Sequence, residues 1–219
     1  MKKRNASGVL ILLLLLAGVA ILLYPSVSSL VNKLNGSHAV QQLAQKLENQ
    51  DQAELDRQRE MAESYNRKLL DMGECPYRYE EILDFGNGML GSIEIPSIDV
   101  SLPIYHGVSS TVLSKGVGHV PSTAFPIGGE GNHTVLTGHT GLPSAELFTN
   151  LDQLAQGDLF YIHILGRTLC YQVDCIQIVL PEETESLQSV PGEDYCTLVT
   201  CTPYGINSHR LLVRGRRLP

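Results

Sequence analysis

The sequence lacks an excess of positive charge and the short signatures of several cofactor-dependent enzymes. Its 16 lysines and arginines are outnumbered by 23 aspartates and glutamates, which gives a net charge of −7. Because nucleic-acid binding relies on a basic surface, we expect no nucleic-acid partner. There is no Cys-x-x-Cys and no His-Glu-x-x-His. The glycines of 128–131 lack the Lys-Ser/Thr of a phosphate-binding loop, so we interpret them as a turn.

The acidic residues do not predict a metal centre. Asp152 with Asp158, or the acidic segment 182–185, could hold a cation. A solvated acidic loop is the interpretation that we favour for both groups. We therefore predict that the protein binds no metal and needs no cofactor.

Long apolar runs are also scarce, and the one that is present lies at the N-terminus. It extends from Val9 to Leu23, follows the basic start Met1–Asn5 and is closed by Pro25. A cleaved signal peptide is one interpretation, but the run is longer than a usual signal core and 26–29 shows no clear cleavage site. We predict that residues 1–25 form a cytoplasmic basic start and a signal-anchor transmembrane helix, which leaves the remainder outside the cell.

Residues 26–72 have a helical composition. Gln, Glu, Ala, Lys and Leu dominate, and Val40, Leu43 and Leu47 share one helical face. The stripe weakens at 49–52, so we expect one helix or two, acting as a solvated stalk. The alternative, a partner-binding coiled coil, is disfavoured because the heptad pattern is not sustained.

Beyond residue 88 the pattern is that of a mainly β domain. Gly91–Val100 alternates apolar and polar residues, as a half-buried strand does. Strands at 160–165 and 168–173 flank a predicted hairpin at Gly166-Arg167, and a further strand follows at 175–180. A short helix is expected at 145–154. Short strands with frequent turns predict a closed barrel or a sandwich.

Two residues with reactive side chains stand at the ends of neighbouring predicted strands, Cys201 and Arg210. Thr197–Cys201 is β-branched and apolar, Pro203-Tyr204-Gly205 breaks the run, and Leu211–Val213 resumes it. So short a connection would bring the thiol and the guanidinium together at one end of a sheet. A positive charge beside a thiol favours the thiolate, which is the nucleophilic form.

His139 is the candidate acid or base. It also follows a short β-branched run, and Gly138 and Gly141 give the backbone room for a turn and a ligand. Taken singly, each residue has an ordinary structural interpretation: a buried cysteine, a turn histidine and a solvated arginine. The location of all three at strand ends favours nucleophilic catalysis.

The motifs around these residues resemble those of sortases. Thr-Leu-Val-Thr-Cys followed by an arginine is similar to the sortase cysteine signature, and Thr-Gly-His-Thr-Gly-Leu-Pro looks like the histidine motif. The longer stretch Cys201–Gly215 resembles the class C, or pilin-assembling, sortases. Ile95-Pro96, Leu102–Gly107 and Gly116–His119 do so too. The likeness runs in order from about Gly88 to Arg217.

The resemblance implies a closed eight-stranded sortase-type β-barrel with short connecting helices over residues 88–219. It also implies a transpeptidase that cleaves a Leu-Pro-x-Thr-Gly-like sorting signal. Cys201 would be the nucleophile, His139 the general acid and base, and Arg210 the group that stabilises the oxyanion and positions the substrate. The enzyme would be a single-pass membrane protein with its catalytic domain on a Gram-positive-type cell surface.

The amine acceptor is left open by the sequence. In class C relatives it is a lysine of a pilin subunit, and pilus polymerisation is the interpretation we favour. A peptidoglycan precursor, as in anchoring of surface proteins to the cell wall, is the alternative. The papain-type Cys-Gly-Ser-Cys-Trp signature of hydrolytic thiol proteases is absent. A catalytically silent, membrane-tethered scaffold is the candidate from another class, and the intact Cys201, His139 and Arg210 argue against it.

Residues 73–87 are a candidate lid. Class C sortases typically cover the cleft with an Asp-Pro-aromatic motif, and Pro76-Tyr77 is similar, with Cys75 in place of the aspartate. An ordinary connecting loop is the alternative. The pairing of the remaining cysteines cannot be decided from sequence. Cys196 precedes Cys201 by five residues, so in a regular strand it faces the core while Cys201 faces a cleft.

Overall fold

Two long helices precede the β domain. The computed structural model describes residues 6–86, 88–141 and 147–219. Helix α1 (Ala6–Glu48) and helix α2 (Gln52–Leu69) are separated where the apolar stripe weakens, which agrees with the two-helix expectation. Asp51 caps α2, since its side chain accepts a hydrogen bond from the backbone N–H of Ala53. The basic start Met1–Asn5 lies outside the described residues.

Helix α1 does not end at Pro25, as the sequence had suggested. The helix has 43 residues in total and continues past Pro25 to Glu48. Proline removes one backbone hydrogen bond, but a long apolar helix tolerates that loss. Among the described residues, α1 is the helix that is long and apolar enough to cross a membrane, over Gly8–Glu48.

The expectation of a solvated stalk is wrong for α2. Leu55, Met61 and Ala62 of this helix are buried in the main core. Two polar residues of the same helix bind the backbone of the β domain. The side chain of Gln58 accepts a hydrogen bond from Leu83 N at 2.6 Å, and that of Asn66 accepts one from Phe125 N at 2.8 Å. Because Gln58 and Asn66 are polar, the sequence pattern predicts that they are exposed. In the structure both are buried, and their side chains bind backbone groups.

The β domain is a closed barrel of eight strands, which confirms the expected fold. Around the barrel the order is β1-β2-β3-β4-β7-β8-β6-β5. Neighbours are antiparallel except for two parallel pairs, β2 with β3 and β4 with β7. A short helix α3 (Ser110–Leu113) precedes β3. The strands are β1 (Met89–Ile95), β2 (Val100–His106), β3 (Val117–His119), β4 (His133–Thr137), β5 (Leu159–Ile164), β6 (Arg167–Val179), β7 (Tyr195–Thr202) and β8 (His209–Arg217).

Several predicted strand boundaries differ from the observed ones. The strand expected over Gly91–Val100 ends at Ile95, because Pro96 cannot donate to a ladder and begins a 3₁₀ turn, Pro96–Ile98. The strands expected at 168–173 and 175–180 are one strand, β6, with an irregular register between Val173 and Cys175.

The hairpin between β5 and β6 is confirmed, one residue earlier than expected. Ile164 pairs with Arg167, and Leu165 and Gly166 form the turn with positive φ. The helix expected at 145–154 lies partly outside the described residues. Where that stretch is described, residues 147–150 form a turn and Leu151–Gln153 a 3₁₀ helix.

Strand directions place the candidate site at one end of the barrel. Strands β1, β4, β6 and β7 end there, and β2, β3, β5 and β8 begin there. We name it the Cys201 end; it carries the β1–β2 connection Pro96–Asp99, the segment after β4 and the β7–β8 loop 203–208. The opposite end, where β1 begins, is named the Gly88 end. Helix α1 packs against β1 and β2, on the other side of the barrel from β7 and β8.

Candidate active site

Three strand ends bring Cys201, His139 and Arg210 together. Strands β4 and β7 are parallel, with Thr137 opposite Val199. His139 and Cys201 each lie two residues farther along, so they emerge side by side at the same end of the sheet. On the other side, β7 and β8 are antiparallel and Cys201 is directly opposite Arg210. Directly opposed residues have Cβ atoms about 4.5–5.5 Å apart and project from the same face.

All three side chains line one groove of about 760 Å³. Alternate residues of each strand face it, as the pleat requires. They are His133, Val135 and Thr137 of β4, His139 just after β4, Val199 and Cys201 of β7, and Arg210 and Leu212 of β8. Cys196, of opposite parity, is fully buried, and burial raises the pKa of its thiol well above the usual value. The expected division between a core cysteine and a cleft cysteine therefore holds.

Backbone and side-chain hydrogen bonds fix the turn that carries His139. Gly138 N donates to Val199 O at 3.1 Å, and Thr200 Oγ1 donates to Gly138 O at 2.8 Å. The His139 carbonyl accepts a hydrogen bond from Phe148 N at 3.1 Å. A Cβ at position 138 would lie 2.8 Å from the Phe148 ring, so only glycine lets the two segments approach.

Arg210 is held by the loop that precedes it. Its Nη1 donates to the carbonyl oxygens of His209 at 3.0 Å and Asn207 at 3.2 Å. Asn207 adopts positive φ, which asparagine tolerates better than most residues and which turns the chain back into β8. The guanidinium is partly buried and belongs to the groove lining.

One wall of the groove is the segment between β6 and β7. His133 connects this wall by hydrogen bonds to β7, which belongs to the floor of the groove. Leu180, Pro181, Leu187, Gln188 and Ser189 of this segment line the groove. His133 Nδ1 lies 2.9 Å from Gln188 O, and its Nε2 lies 2.7 Å from Thr197 Oγ1. Since a carbonyl only accepts, Nδ1 donates and Nε2 accepts from the threonine hydroxyl. Burial lowers the pKa of His133 and so favours this neutral form.

The opposite wall, Val120 and Ser122–Ala124, is tied to a buried histidine. His119 is fully buried, its Nε2 donates to Ala124 O at 2.9 Å, and its Nδ1 lies 2.9 Å from the hydroxyl of Tyr79. Burial lowers the pKa of His119 to about 4. His119 lies behind the wall and is absent from the groove lining, in contrast to His139.

The candidate lid residues lie elsewhere. Cys75, Pro76 and Tyr77 do not belong to the groove lining in the described part of the chain. Cys75 packs against the apolar core, and its Sγ donates to Tyr77 O at 3.7 Å. All five cysteines are free thiols. Within the described ranges, no three His, Cys, Asp or Glu residues come close enough together to form a metal site.

Sequence reasoning missed His133 and the β6–β7 wall. The signal for His133 was present, because it has the same strand parity as His139 and must therefore face the same side of β4. The wall carries no local signal. Its position follows from the strand order β7-β8-β6, because the connection from β6 to β7 has to cross β8 and so passes beside the groove.

Comparison with known proteins agrees with this geometry. A family model described as Sortase domain matches residues 93–218. Sortase C1 from Streptococcus agalactiae is 41% identical with a TM-score of 0.78, over 83% of this chain and 98% of that one. Sortase C from Streptococcus pneumoniae, described in terms of catalysis and pilin substrate specificity, is 42% identical with a TM-score of 0.77, over 83% and 97%. Sortase C from Clostridium perfringens, solved with a C-terminal cell wall sorting motif, is 43% identical with a TM-score of 0.76, over 84% and 99%.

Curated relatives are more distant and are matched over a smaller share of their length. Sortase A of Streptococcus agalactiae is 32% identical over 52% of this chain, and sortase A of Bacillus anthracis is 30% identical over 58%. The chain spans 47% and 59% of these two relatives. The family model alone covers more than half of the chain, and the barrel matches the solved sortases C over most of its length. The chain therefore belongs to the sortase family of cysteine transpeptidases, and its structural neighbours are class C sortases.

Proposed function

We propose that this protein is a membrane-anchored transpeptidase of the pilin-assembling type, with Cys201, His139 and Arg210 as its catalytic residues. The observation that carries the proposal is the convergence of three strand ends in one groove, with Arg210 directly opposite Cys201 and His139 beside it. A nucleophile, a proton donor and a fixed cation are the groups that acyl transfer requires.

In the first half-reaction, the Cys201 thiolate attacks the threonine carbonyl carbon of a sorting signal similar to Leu-Pro-x-Thr-Gly. The tetrahedral oxyanion is stabilised by the Arg210 guanidinium. Both of its loop hydrogen bonds involve Nη1, which leaves the donors on Nε and Nη2 for the substrate. The C–N bond to glycine breaks, His139 as imidazolium gives its proton to the leaving amine, and a thioester remains.

In the second half-reaction, an amine attacks the thioester. Neutral His139 accepts the proton that the amine loses, the C–S bond breaks, and Cys201 leaves as the thiolate. One amide is broken and one is formed, so the cycle needs no external energy source and no cofactor. Val135, Val199, Leu187 and Leu212 give the groove an apolar lining that disfavours water as the competing nucleophile.

A pilin lysine is the acceptor that we propose. The neighbour from Streptococcus pneumoniae, at 42% identity, is described in terms of pilin substrate specificity. The curated sortases A are less similar, at 30–32% identity over shorter stretches. The competing acceptor, a peptidoglycan precursor amine, is distinguished by the acceptor assay below.

We also propose that the enzyme is held at a Gram-positive-type cell surface by a single transmembrane span in α1. The exposed apolar side chains of the helix, from Val9 onward, support this anchoring. The catalytic barrel would then lie on the extracellular side, where surface proteins bearing sorting signals are the substrates.

The test is to trap the acyl-enzyme. The full chain in detergent is mixed with a sorting-signal peptide, and intact mass with peptide mapping should find a thioester on Cys201. Cys201→Ala should abolish the adduct. The matched control is Cys175→Ser, which removes another thiol paired across the sheet with an arginine, Arg214. An adduct that survives Cys201→Ala would refute the assignment, and no adduct in any variant would favour the silent scaffold.

The acceptor assay uses the same acyl-enzyme. It is offered a pilin-derived lysine peptide and a peptidoglycan stem-peptide amine at equal concentration. We expect the isopeptide product with the lysine peptide to dominate. Predominant transfer to the stem-peptide amine would replace pilus assembly by cell-wall anchoring.

A further inference from the structure

Helix α1 is already in contact with the barrel where its apolar stretch runs out. Exposed apolar side chains occur along the helix from Val9 to Leu34. Within this stretch, Ser28 and Ser29 are only partly exposed to solvent. About 20 helical residues cross a hydrocarbon core about 30 Å thick. A span that begins at Gly8 therefore ends close to Ser28, next to Ser29, which lines a small cavity together with residues of the barrel.

The part of the barrel that meets α1 at this level is the Cys201 end. Lys33 Nζ of α1 donates to Asp99 Oδ2 in the β1–β2 connection at 2.6 Å. A small cavity beside this ion pair is lined by Ser29 and Lys33 from the helix, and by Lys115 and Leu147 from the barrel. Asp99, Lys115 and Leu147 belong to three different connections, before β2, before β3 and after β4 respectively, and all three connections reach the Cys201 end.

Farther along, α1 runs beside the barrel wall towards the Gly88 end. Gly36 lies against Pro103 of β2, where an added Cβ would be 3.6 Å from the ring. Lys46 Nζ donates to the carbonyl oxygen of Phe85, which precedes β1. From Lys33 to Lys46 the helix rises about 20 Å. The helix thus connects one end of the barrel to the other and fixes which end is nearer the membrane.

The β7–β8 loop at the Cys201 end exposes two large apolar side chains. Tyr204 is 69% exposed and Ile206 is 72% exposed. Tyr204 belongs to the same end as the segment after β4, since a Cβ at Gly141 would lie 2.8 Å from its ring. Tyrosine is enriched at membrane–water interfaces, where its ring meets the acyl chains and its hydroxyl stays hydrated.

We propose that the Cys201 end of the barrel rests on the outer surface of the lipid bilayer, with Tyr204 and Ile206 in its interfacial region. The inference rests on the transmembrane span proposed above. The α1 contacts seat one side of this end at the bilayer surface, and the β7–β8 loop supplies apolar contacts on the opposite side of the barrel. His139, Cys201 and Arg210 then open towards the lipid headgroups, and the groove leads away from the membrane. A donor peptide would reach the nucleophile from the membrane side.

The absence of tryptophan from the chain allows a direct test. Single-tryptophan variants of the full chain are placed in nanodiscs of phosphatidylcholine and phosphatidylglycerol, with and without bromine near the headgroup end of the acyl chains. Tyr204→Trp is the probe, and Ile206→Trp is the second probe should the first not fold. Val190→Trp is the matched control, because Val190 is an exposed apolar residue in the turn before β7, at the Gly88 end. Tyr24→Trp reports on the span itself.

We expect brominated lipid to remove much of the emission of Tyr204→Trp and Ile206→Trp and to leave that of Val190→Trp unchanged. Quenching of Tyr24→Trp alone would refute the contact of the Cys201 end with the bilayer, while it would still support the transmembrane span in α1. Equal quenching at positions 204 and 190 would refute the proposed orientation. Absence of quenching for Tyr24→Trp would refute the proposed transmembrane span and therefore also this inference, which depends on it. The tryptophan at position 204 or 206 could instead become buried only when a substrate protein is added, without quenching by brominated lipid. That result would assign the loop to the substrate protein and not to lipid.

Discussion

His133 links the two β strands of the groove floor to the segment that forms one of its walls. Its Nδ1 is 2.9 Å from Gln188 O in the wall, and its Nε2 is 2.7 Å from Thr197 Oγ1 on β7. The wall segment contains the apolar groove residues Leu180 and Leu187. A histidine outside the three catalytic candidates therefore anchors one wall of the groove to its floor.

Replacing His133 should weaken substrate binding more than chemistry. We expect His133→Ala to raise KM for a sorting-signal peptide roughly two- to tenfold, the equivalent of one lost hydrogen bond of about 0.5–1.5 kcal/mol, with kcat little changed. His133→Gln, which can still donate to Gln188 O, should recover part of the loss. The control is His163→Ala on β5, whose ring bonds Thr168 and Glu94. A loss confined to kcat would contradict this role.

His119 should make folding sensitive to acid. Its pKa is lowered to about 4 in the folded protein, against 6.5 when exposed, so below pH 6.5 the unfolded chain binds a proton that the folded chain refuses. The free energy of unfolding should therefore fall as the pH drops from 6.5 to 4, by an amount of order 3 kcal/mol in total.

The contribution of His119 is measured as a difference between two pH profiles. Urea unfolding of the wild-type chain in detergent should lose stability between pH 6.5 and 4, and His119→Gln should show a flatter profile. His38→Gln, at an exposed position of α1, should follow the wild type. Parallel profiles for His119→Gln and the wild type would show that this histidine does not account for the acid sensitivity.

The geometry of Arg210 should matter as much as its charge. Arg210→Lys keeps the positive charge but loses the planar fork of donors, and we expect turnover to fall about 10²-fold or more, the scale of losing one oxyanion donor. Arg216→Lys on the same strand, where the side chain pairs with Glu193, is the matched control and should retain activity. Normal single-turnover acylation by Arg210→Lys would limit the role of Arg210 to its hydrogen bonds with the β7–β8 loop.

The segment Cys75–Tyr77 stays a candidate lid that can be tested kinetically. If Tyr77 restricts access to the groove in solution, Tyr77→Ala should speed acylation by a sorting-signal peptide in stopped-flow measurements. Tyr161→Ala on β5 serves as the control for a lost tyrosine outside the groove. Because Cys75 is not a permanent anion, closure over Arg210 would lack a charge-assisted hydrogen bond, about 1.5–3 kcal/mol. An unchanged acylation rate would make this segment an ordinary connecting loop.

The local sequence determined the strands that carry the site and the residues at their ends. Cys201, His139 and Arg210 each adjoin a short β-branched or apolar run beside a turn, so their place at strand ends could be predicted. Strand parity also separated the core thiol of Cys196 from the groove thiol of Cys201. These features depend on neighbours within a few residues, which is the range over which propensity and periodicity act.

The tertiary structure decided what depends on distant partners. The parallel pairing of β4 with β7 brings His139 beside Cys201 across 62 residues of sequence, and only barrel closure selects that partner. Gln58 and Asn66 look solvent-exposed in sequence, yet each is buried because it satisfies a backbone group of the β domain. Likewise, the continuation of α1 through Pro25 and the ion pair of Lys33 with Asp99 decide how the barrel is held to the helix. A pattern within one segment cannot encode these contacts, because each needs the surface of another segment to form.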